Sequence, residues 1–292
     1  MTLGVAGMHY AMSSAVVGVV LCGALLHASW NAMVKSRPDT FLVTVLVAGA
    51  AGVLCAIGLP FLPAPAVASW PYIAASTVVQ LAYYALLVAA YRGSDMSRAY
   101  PLMRGSAPLL VALASGPLIG ETLRFTQWLA LACICGGILS LYLGGRASSG
   151  AGNRRATMFA LLTACMIAAF TLIDGAGVRL SGSSLAYTMW IFMLTGAGLV
   201  LWTARSHRGQ LLPYARANLP IAVCGGLANL GSYSLALWAM TRAPVAAVAA
   251  LRETSILFAV AIAALILREP VSKGRIAAVT LVACGAVAMR LA

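Results

Sequence analysis

Of the 292 residues, 62% are hydrophobic and 9% are charged, and the mean hydropathy is +0.95. A soluble domain of this length cannot cover that much apolar side chain, so the composition defines a polytopic membrane protein. The net charge of +13 does not mark a nucleic-acid binder, because the lysines and arginines sit in short loops between apolar runs and form no dense basic stretch.

A helix needs roughly 20 mainly apolar residues to cross a bilayer. Ten segments qualify, at about 13–34, 41–59, 70–91, 98–118, 125–143, 157–177, 185–204, 216–239, 245–266 and 273–291. The first lacks the basic leader of a signal peptide, and Lys35 follows it where a cleavage site would need small residues. It carries His27, Trp30 and Asn31. Span 3 carries Gln80, Tyr83, Tyr84 and Tyr91, and positions 80, 84 and 91 share a helix face. Span 4 holds Arg104 between Pro101 and Pro108 and closes at I-G-E, with Glu121. Proline removes a backbone donor and can free a carbonyl or bend the helix. Span 5 is rich in small residues, C-I-C-G-G-I-L-S, which let helix backbones approach closely.

A Gly/Ser-rich linker, Gly144 to Arg155, follows. Span 6 then carries Asp174. Span 8 offers Asn229, Ser232, Tyr233 and Trp238, which answer the polar face of span 3. Span 9 begins after Pro244, carries Arg252 and Glu253, and closes at L-R-E-P with Glu269. Span 10 is again small, V-A-C-G-A-V-A. The seven cysteines all fall inside apolar segments with no metal-ligand spacing, so neither a metal nor a loop disulfide is expected.

The chain repeats itself at an offset of 148 residues. Arg104 matches Arg252, Glu121 matches Glu269 and Gly137 matches Gly285. Each copy holds five spans, so the second enters the membrane from the opposite side. This predicts an all-α membrane protein of two inverted five-helix repeats, 1–143 and 157–292, joined by a cytoplasmic linker at 144–156, around a central cavity. Of the 19 basic residues, 13 lie in loops after the odd-numbered spans, four lie on the other side and two lie within spans. The positive-inside rule then puts both termini outside the cytoplasm.

Ionisable groups inside a bilayer are costly, so each raises a functional hypothesis. Inversion sets Arg104 toward the cytoplasmic third and Arg252 toward the outer third, so that they flank the midplane. His27 and Asn31 fall near the level of Arg104, and Asp174 near that of Arg252. An Arg252–Asp174 ion pair is one expectation, and a substrate clamp or gate is the other. Glu253 leaves its helix about 100° round from Arg252, which turns it elsewhere. His27, Asp174 or Glu253 would manage any proton coupling. Gln80, Tyr84, Asn229 and Ser232 are expected to line a polar space near the midplane. Glu121 and Glu269 read as helix-end markers or inter-loop pairs.

These residues also carry a family resemblance. The ten spans, the G-E and R-E-P ends, and the stretches H-A-S-W-N-A-M-V-K (27–35), A-Y-P-L-M-R-G-S-A-P (99–108) and A-A-L-R-E-T-S (249–255) resemble EamA-type members of the drug/metabolite transporter superfamily. The resemblance implies a basket-like bundle whose cavity is lined by spans 1, 3, 4, 6, 8 and 9. It also implies export or exchange of small metabolites such as amino acids. Some relatives carry a phosphonate-utilisation label. Many keep their termini in the cytoplasm, whereas the charge bias here points the other way.

The expectation is therefore a secondary transporter of small polar, anionic or zwitterionic metabolites, working by alternating access in a bacterial-type inner membrane, as a monomer or homodimer. Its substrate-site set is His27, Trp30, Asn31, Gln80, Tyr83, Tyr84, Arg104, Asp174, Asn229, Ser232, Trp238, Arg252 and Glu253. No P-loop or hydrolase motif appears, so neither an enzyme nor a cofactor is expected. A lipid flippase and a non-transporting scaffold or sensor are the alternatives.

Overall fold

The computed structural model describes residues 12–93, 96–143, 151–206, 209–265, 268 and 271–292. Glu269, linker residues 144–150 and the side chain of Tyr91 lie outside that set. Twelve α-helices follow in order: α1 (Ser14–Lys35), α2 (Thr40–Gly58), α3 (Trp70–Gly93), α4 (Met96–Ile119), α5 (Phe125–Leu143), α6 (Ala151–Leu180), α7 (Ser184–Ser206), α8 (Leu211–Ala217), α9 (Leu219–Met240), α10 (Val245–Arg252), α11 (Ser255–Leu265) and α12 (Lys273–Leu291). Ten segments are long and apolar enough to span a membrane, and α10 with α11 together make one of them. The chain is thus a multi-pass, all-helical membrane protein.

Two elements depart from the pattern read in the sequence. The start of span 8 is a separate short helix, α8, which ends at Asn218 just before α9. Span 9 is broken in the middle, although it contains no internal glycine or proline. The break is a local tightening of the ladder. The Glu253, Thr254, Ile256 and Leu257 N–H groups bond three residues back instead of four, to Ala250, Leu251, Glu253 and Thr254. The Ile256 N–H is thereby diverted from the Arg252 carbonyl, its ordinary helical acceptor. In α4, Pro108 has no N–H to give to Arg104 four residues earlier. The repeat-related arginines therefore share a local defect, reached by two different routes.

Helix packing follows the pattern that two inverted halves produce. Helix α3 packs on α6 as α9 packs on α1; α2 meets α7, and α5 meets α12. The α5–α12 seam is reciprocal in detail. A Cβ on Gly137 would lie 2.8 Å from the Ala278 carbonyl and 2.9 Å from Val282. A Cβ on Gly285 would lie 2.8 Å from the Ala130 carbonyl and 2.7 Å from Ile134. Ala130 and Ile134 are the 148-residue equivalents of Ala278 and Val282. The small residues of spans 5 and 10 thus pack the two halves against each other.

The G-E and R-E motifs share one backbone trait. Gly120 closes α4 with φ +72°, and its repeat equivalent Arg268 has φ +53°. Left-handed backbone costs a non-glycine residue about 1–2 kcal/mol. Arg268→Gly is therefore expected to raise stability by up to about 1 kcal/mol, part of the strain relief being offset by glycine's larger unfolded-state entropy. Thermal unfolding in detergent checks this, and a loss of stability would show that the arginine side chain outweighs its strain.

One face of the bundle gathers both ends of the described chain and the turns after spans 2, 4, 6 and 8. The Arg290 Nη2 donates to Ser14 Oγ (3.0 Å), and the Arg124 Nη1 donates to the Ala292 carbonyl (2.9 Å). The Ala66 N–H bonds to the Ser181 carbonyl at 2.9 Å. We call this the terminus face and the opposite one the linker face.

Candidate substrate site

Arg104 lies nine residues into α4 and Arg252 eight residues into α10, each about 12 Å from the start of its helix. In a hydrocarbon core about 30 Å thick, that places both near the middle. They approach it from opposite faces, and Glu253 joins them. Arg104 Nε lies 3.0 Å from Glu253 Oε2, an ion pair between the two halves. Glu253 was expected to turn away from Arg252, and the partner it meets is Arg104. Helix α10 ends at Arg252, so Glu253 sits in the turn and its direction is not set by helical spacing.

Arg252 does not pair with Asp174, contrary to the ion-pair expectation. Its guanidinium lies over the Tyr233 ring, 5.2 Å from the centroid. Asp174 is fully buried and is held by neutral donors: Tyr233 Oη at 2.5 Å, Tyr187 Oη at 3.0 Å and Gln80 Nε2 at 3.4 Å. Those bonds tie α6 to α9, α7 and α3. Hydrogen bonds to a carboxylate are stronger than neutral ones, and these donors together with Ser76 satisfy most of its acceptor capacity without a cation at ion-pair distance. Two features are then left over. Among the described residues Arg252 has no carboxylate partner, and Arg104 Nη2 is buried without a hydrogen-bond partner.

Aromatic rings surround these charges. Tyr83 meets Tyr84 (5.0 Å) and Phe170 (5.7 Å), and Tyr233 meets Phe192 (5.7 Å) and Phe170 (6.4 Å). Tyr83 and Tyr100 lie within electrostatic range of Arg104, and His27 within range of both arginines. The His27 ring accepts from Trp30 Nε1 at 3.3 Å, and Asn31 donates to the His27 carbonyl at 2.7 Å.

The structure thus gathers Arg104, Arg252, Glu253, His27, Tyr83, Gln80 and Asp174 from the sequence-derived set. Tyr84 stands behind Tyr83. Trp238 is stacked under Arg242 at 5.0 Å, and no side-chain hydrogen bond joins Asn229 or Ser232 to the cluster among the described residues. Ser232 instead lies on the packed side of α9, with its carbonyl facing Gly23 of α1. Tyr233, its neighbour, is the residue that reaches the site. Tyr187 was missed. A depth count through the short turn after α6 would have found it, because Asp174 and Tyr187 stand six and three residues from their helix ends.

A second inter-half cluster lies at the terminus face. Glu121 accepts from Arg179 Nη2 at 2.6 Å and from the Val245 N–H at 2.8 and 3.1 Å. Arg179 also donates to the Met240 carbonyl (2.8 Å) and the Ala243 carbonyl (3.1 Å). Gly120's left-handed turn sets Glu121 at the N-terminus of α10, where the helix dipole favours an anion. Of the two readings of Glu121, the inter-loop pair is the one present.

The chain is thus a ten-span bundle of two matching halves with an ion pair between them. Residues 155–291 match the EamA-like transporter family, so the second half of the chain is an EamA-type domain of the drug/metabolite transporter superfamily. Members of that family are membrane transporters of small solutes. One solved crystal structure superposes with a TM-score of 0.75 at 19% identity, covering 94% of this chain and 96% of the other, a likeness of fold. No curated protein matches the chain.

Proposed function

We propose that this protein is a secondary transporter of small zwitterionic or anionic metabolites, amino-acid-like in charge, in a bacterial-type inner membrane. The observation that carries the reading is the pair of guanidiniums at mid-depth. Among the described residues Arg252 has no carboxylate at ion-pair distance, and Arg104 has one unsatisfied nitrogen. A buried guanidinium without a full partner set is costly, and a carboxylate or phosphonate would complete it through two parallel N–H bonds.

Charge balance narrows the class. Arg104 and Arg252 are matched in number by Glu253 and Asp174. A zwitterion adds no net charge: its acidic group takes the arginines, and its ammonium faces the displaced Glu253. A simple monoanion would leave one uncompensated charge in the membrane and needs a companion proton or cation. His27 and Glu253 are the candidates to carry that proton. The tie of Glu121 to Arg179 and Val245 holds the terminus face closed. Parting it, as the halves rock, would open the site to that side.

A thermal-shift screen of the purified protein tests the reading. Amino acids are expected to stabilise it in a saturable way, more than matched monoanions lacking the ammonium. Stabilisation by neutral sugars alone, or by none of these, would overturn it.

A further inference from the structure

We infer that Glu253 is an internal counter-ion that stands in for the substrate, so that the empty carrier can reorient and the protein performs net transport instead of obligatory exchange. This rests on the transport reading above and concerns the half of the cycle in which no substrate is bound.

The geometry is as follows. Glu253 is 6% exposed and comes from the C-terminal half, whereas Arg104 comes from the N-terminal half. Their contact, 3.0 Å from Nε to Oε2, uses the same guanidinium that is offered to a substrate acid. Asp174 cannot play that part, because Tyr233, Tyr187 and Gln80 occupy it and it has no exposure. The Glu253 side chain can be displaced, because its backbone stays bonded in the tightened turn between α10 and α11 while the carboxylate makes one ion pair among the described residues, to Arg104.

Closing a site on both sides removes its charges from water, and an unmatched guanidinium then opposes closure. In a carrier whose positive site is neutralised by substrate alone, the empty form stays open to water and only the loaded form crosses over. Here the empty site already carries its own carboxylate. Binding then exchanges one carboxylate for another on Arg104, and release lets Glu253 return. Both the loaded and the empty forms are neutral enough to close.

The test needs no identified substrate. A trifluoromethyl label on Ala243→Cys, in a background lacking the seven native cysteines, reports by fluorine NMR on the terminus face, where Ala243 is 6% exposed and its carbonyl is held by Arg179. The empty protein in nanodiscs is expected to show two exchanging resonances. Glu253→Gln should slow that exchange at least about tenfold, the effect of one unmatched buried charge. Sodium acetate, the probe anion, should restore it, and sodium chloride at equal ionic strength should not. Glu253→Asp should exchange like the parent. The double variant Arg104→Gln/Glu253→Gln leaves one arginine and one aspartate, so it should exchange freely without acetate.

Undisturbed exchange in Glu253→Gln would overturn the inference. So would failure of both acetate and the double variant to restore it, because a mere strut would not be rescued by removing its partner. If Glu253→Gln does not fold, the double variant and Glu253→Asp decide the matter on the same readout. An empty parent protein that never exchanges, but does so with a ligand found by thermal shift, would overturn the counter-ion role and leave the transport reading standing. An absence of exchange under every ligand would overturn the transport reading itself.

Discussion

Arg252→Lys is expected to weaken binding of an acidic or zwitterionic ligand by roughly ten- to a hundredfold while the protein still folds. An ammonium keeps the charge but lacks the planar fork, so one of two parallel hydrogen bonds to the ligand is lost, worth about 1.5–3 kcal/mol for charged partners. It also stacks less well on the Tyr233 ring, which carries the guanidinium at 5.2 Å. Folding is spared because Arg252 has no carboxylate to abandon among the described residues. Arg104 behaves differently. Arg104→Ala would strand Glu253, 6% exposed, without its ion-pair partner, and breaking such a buried pair costs about 3–5 kcal/mol. Arg104→Lys is the informative variant there. Isothermal titration with a ligand found by thermal shift provides the measurement, and parental affinity in Arg252→Lys would remove the clamp.

The second large effect is steric. Gly285→Leu should destabilise the bundle by about 3 kcal/mol or more, above the usual cost of overpacking because the obstruction is backbone. Even the first added carbon would lie 2.8 Å from the Ala130 carbonyl and 2.9 Å from the Ile134 nitrogen, neither of which can rotate away. Gly136→Leu is the matched control, because a Cβ there meets nothing within 4 Å. Thermal unfolding of the two variants in the same detergent compares them directly. Equal midpoints would show that α5 and α12 do not depend on close approach.

The number and order of the spans were legible because a bilayer demands long apolar runs, and ten of them stand clear of the loops. The repeat was legible because Arg104, Glu121 and Gly137 recur at one offset, and the α5–α12 contact obeys that offset atom by atom. The break in span 9 was not legible. No glycine or proline marks residues 252–255, and the diverted N–H groups follow from packing. The partner of Glu253 was not legible either, because Arg104 reaches it from the other half of the chain. Asp174 was matched to Arg252 by depth and charge. Depth was a sound guide, but neutral donors from α3, α7 and α9 reach the carboxylate, and pairing by charge alone ignores hydroxyl and amide groups. Tyr233 was passed over for Ser232 because the repeat maps Tyr84 to Ser232, while the inward face of α9 lies one residue further on.

The missing ladder bonds at the two arginines also bear on how the molecule deforms. A helix resists bending mainly through its continuous series of N–H to carbonyl bonds, and kinks arise where that series is interrupted. Pro108 interrupts it behind Arg104, and the diverted Ile256 N–H interrupts it behind Arg252. Spans 4 and 9 are therefore both weakened at the residues that would grip a ligand, although span 4 is interrupted at Pro101 and Pro117 as well. In each span the grip is placed at a soft joint between stiffer segments. A small displacement of a guanidinium there changes the angle between the segments, and their length magnifies that angle at the membrane surface. Had the arginines stood on unbroken helix, the same displacement would have been absorbed by side-chain rotation and would never have reached either face.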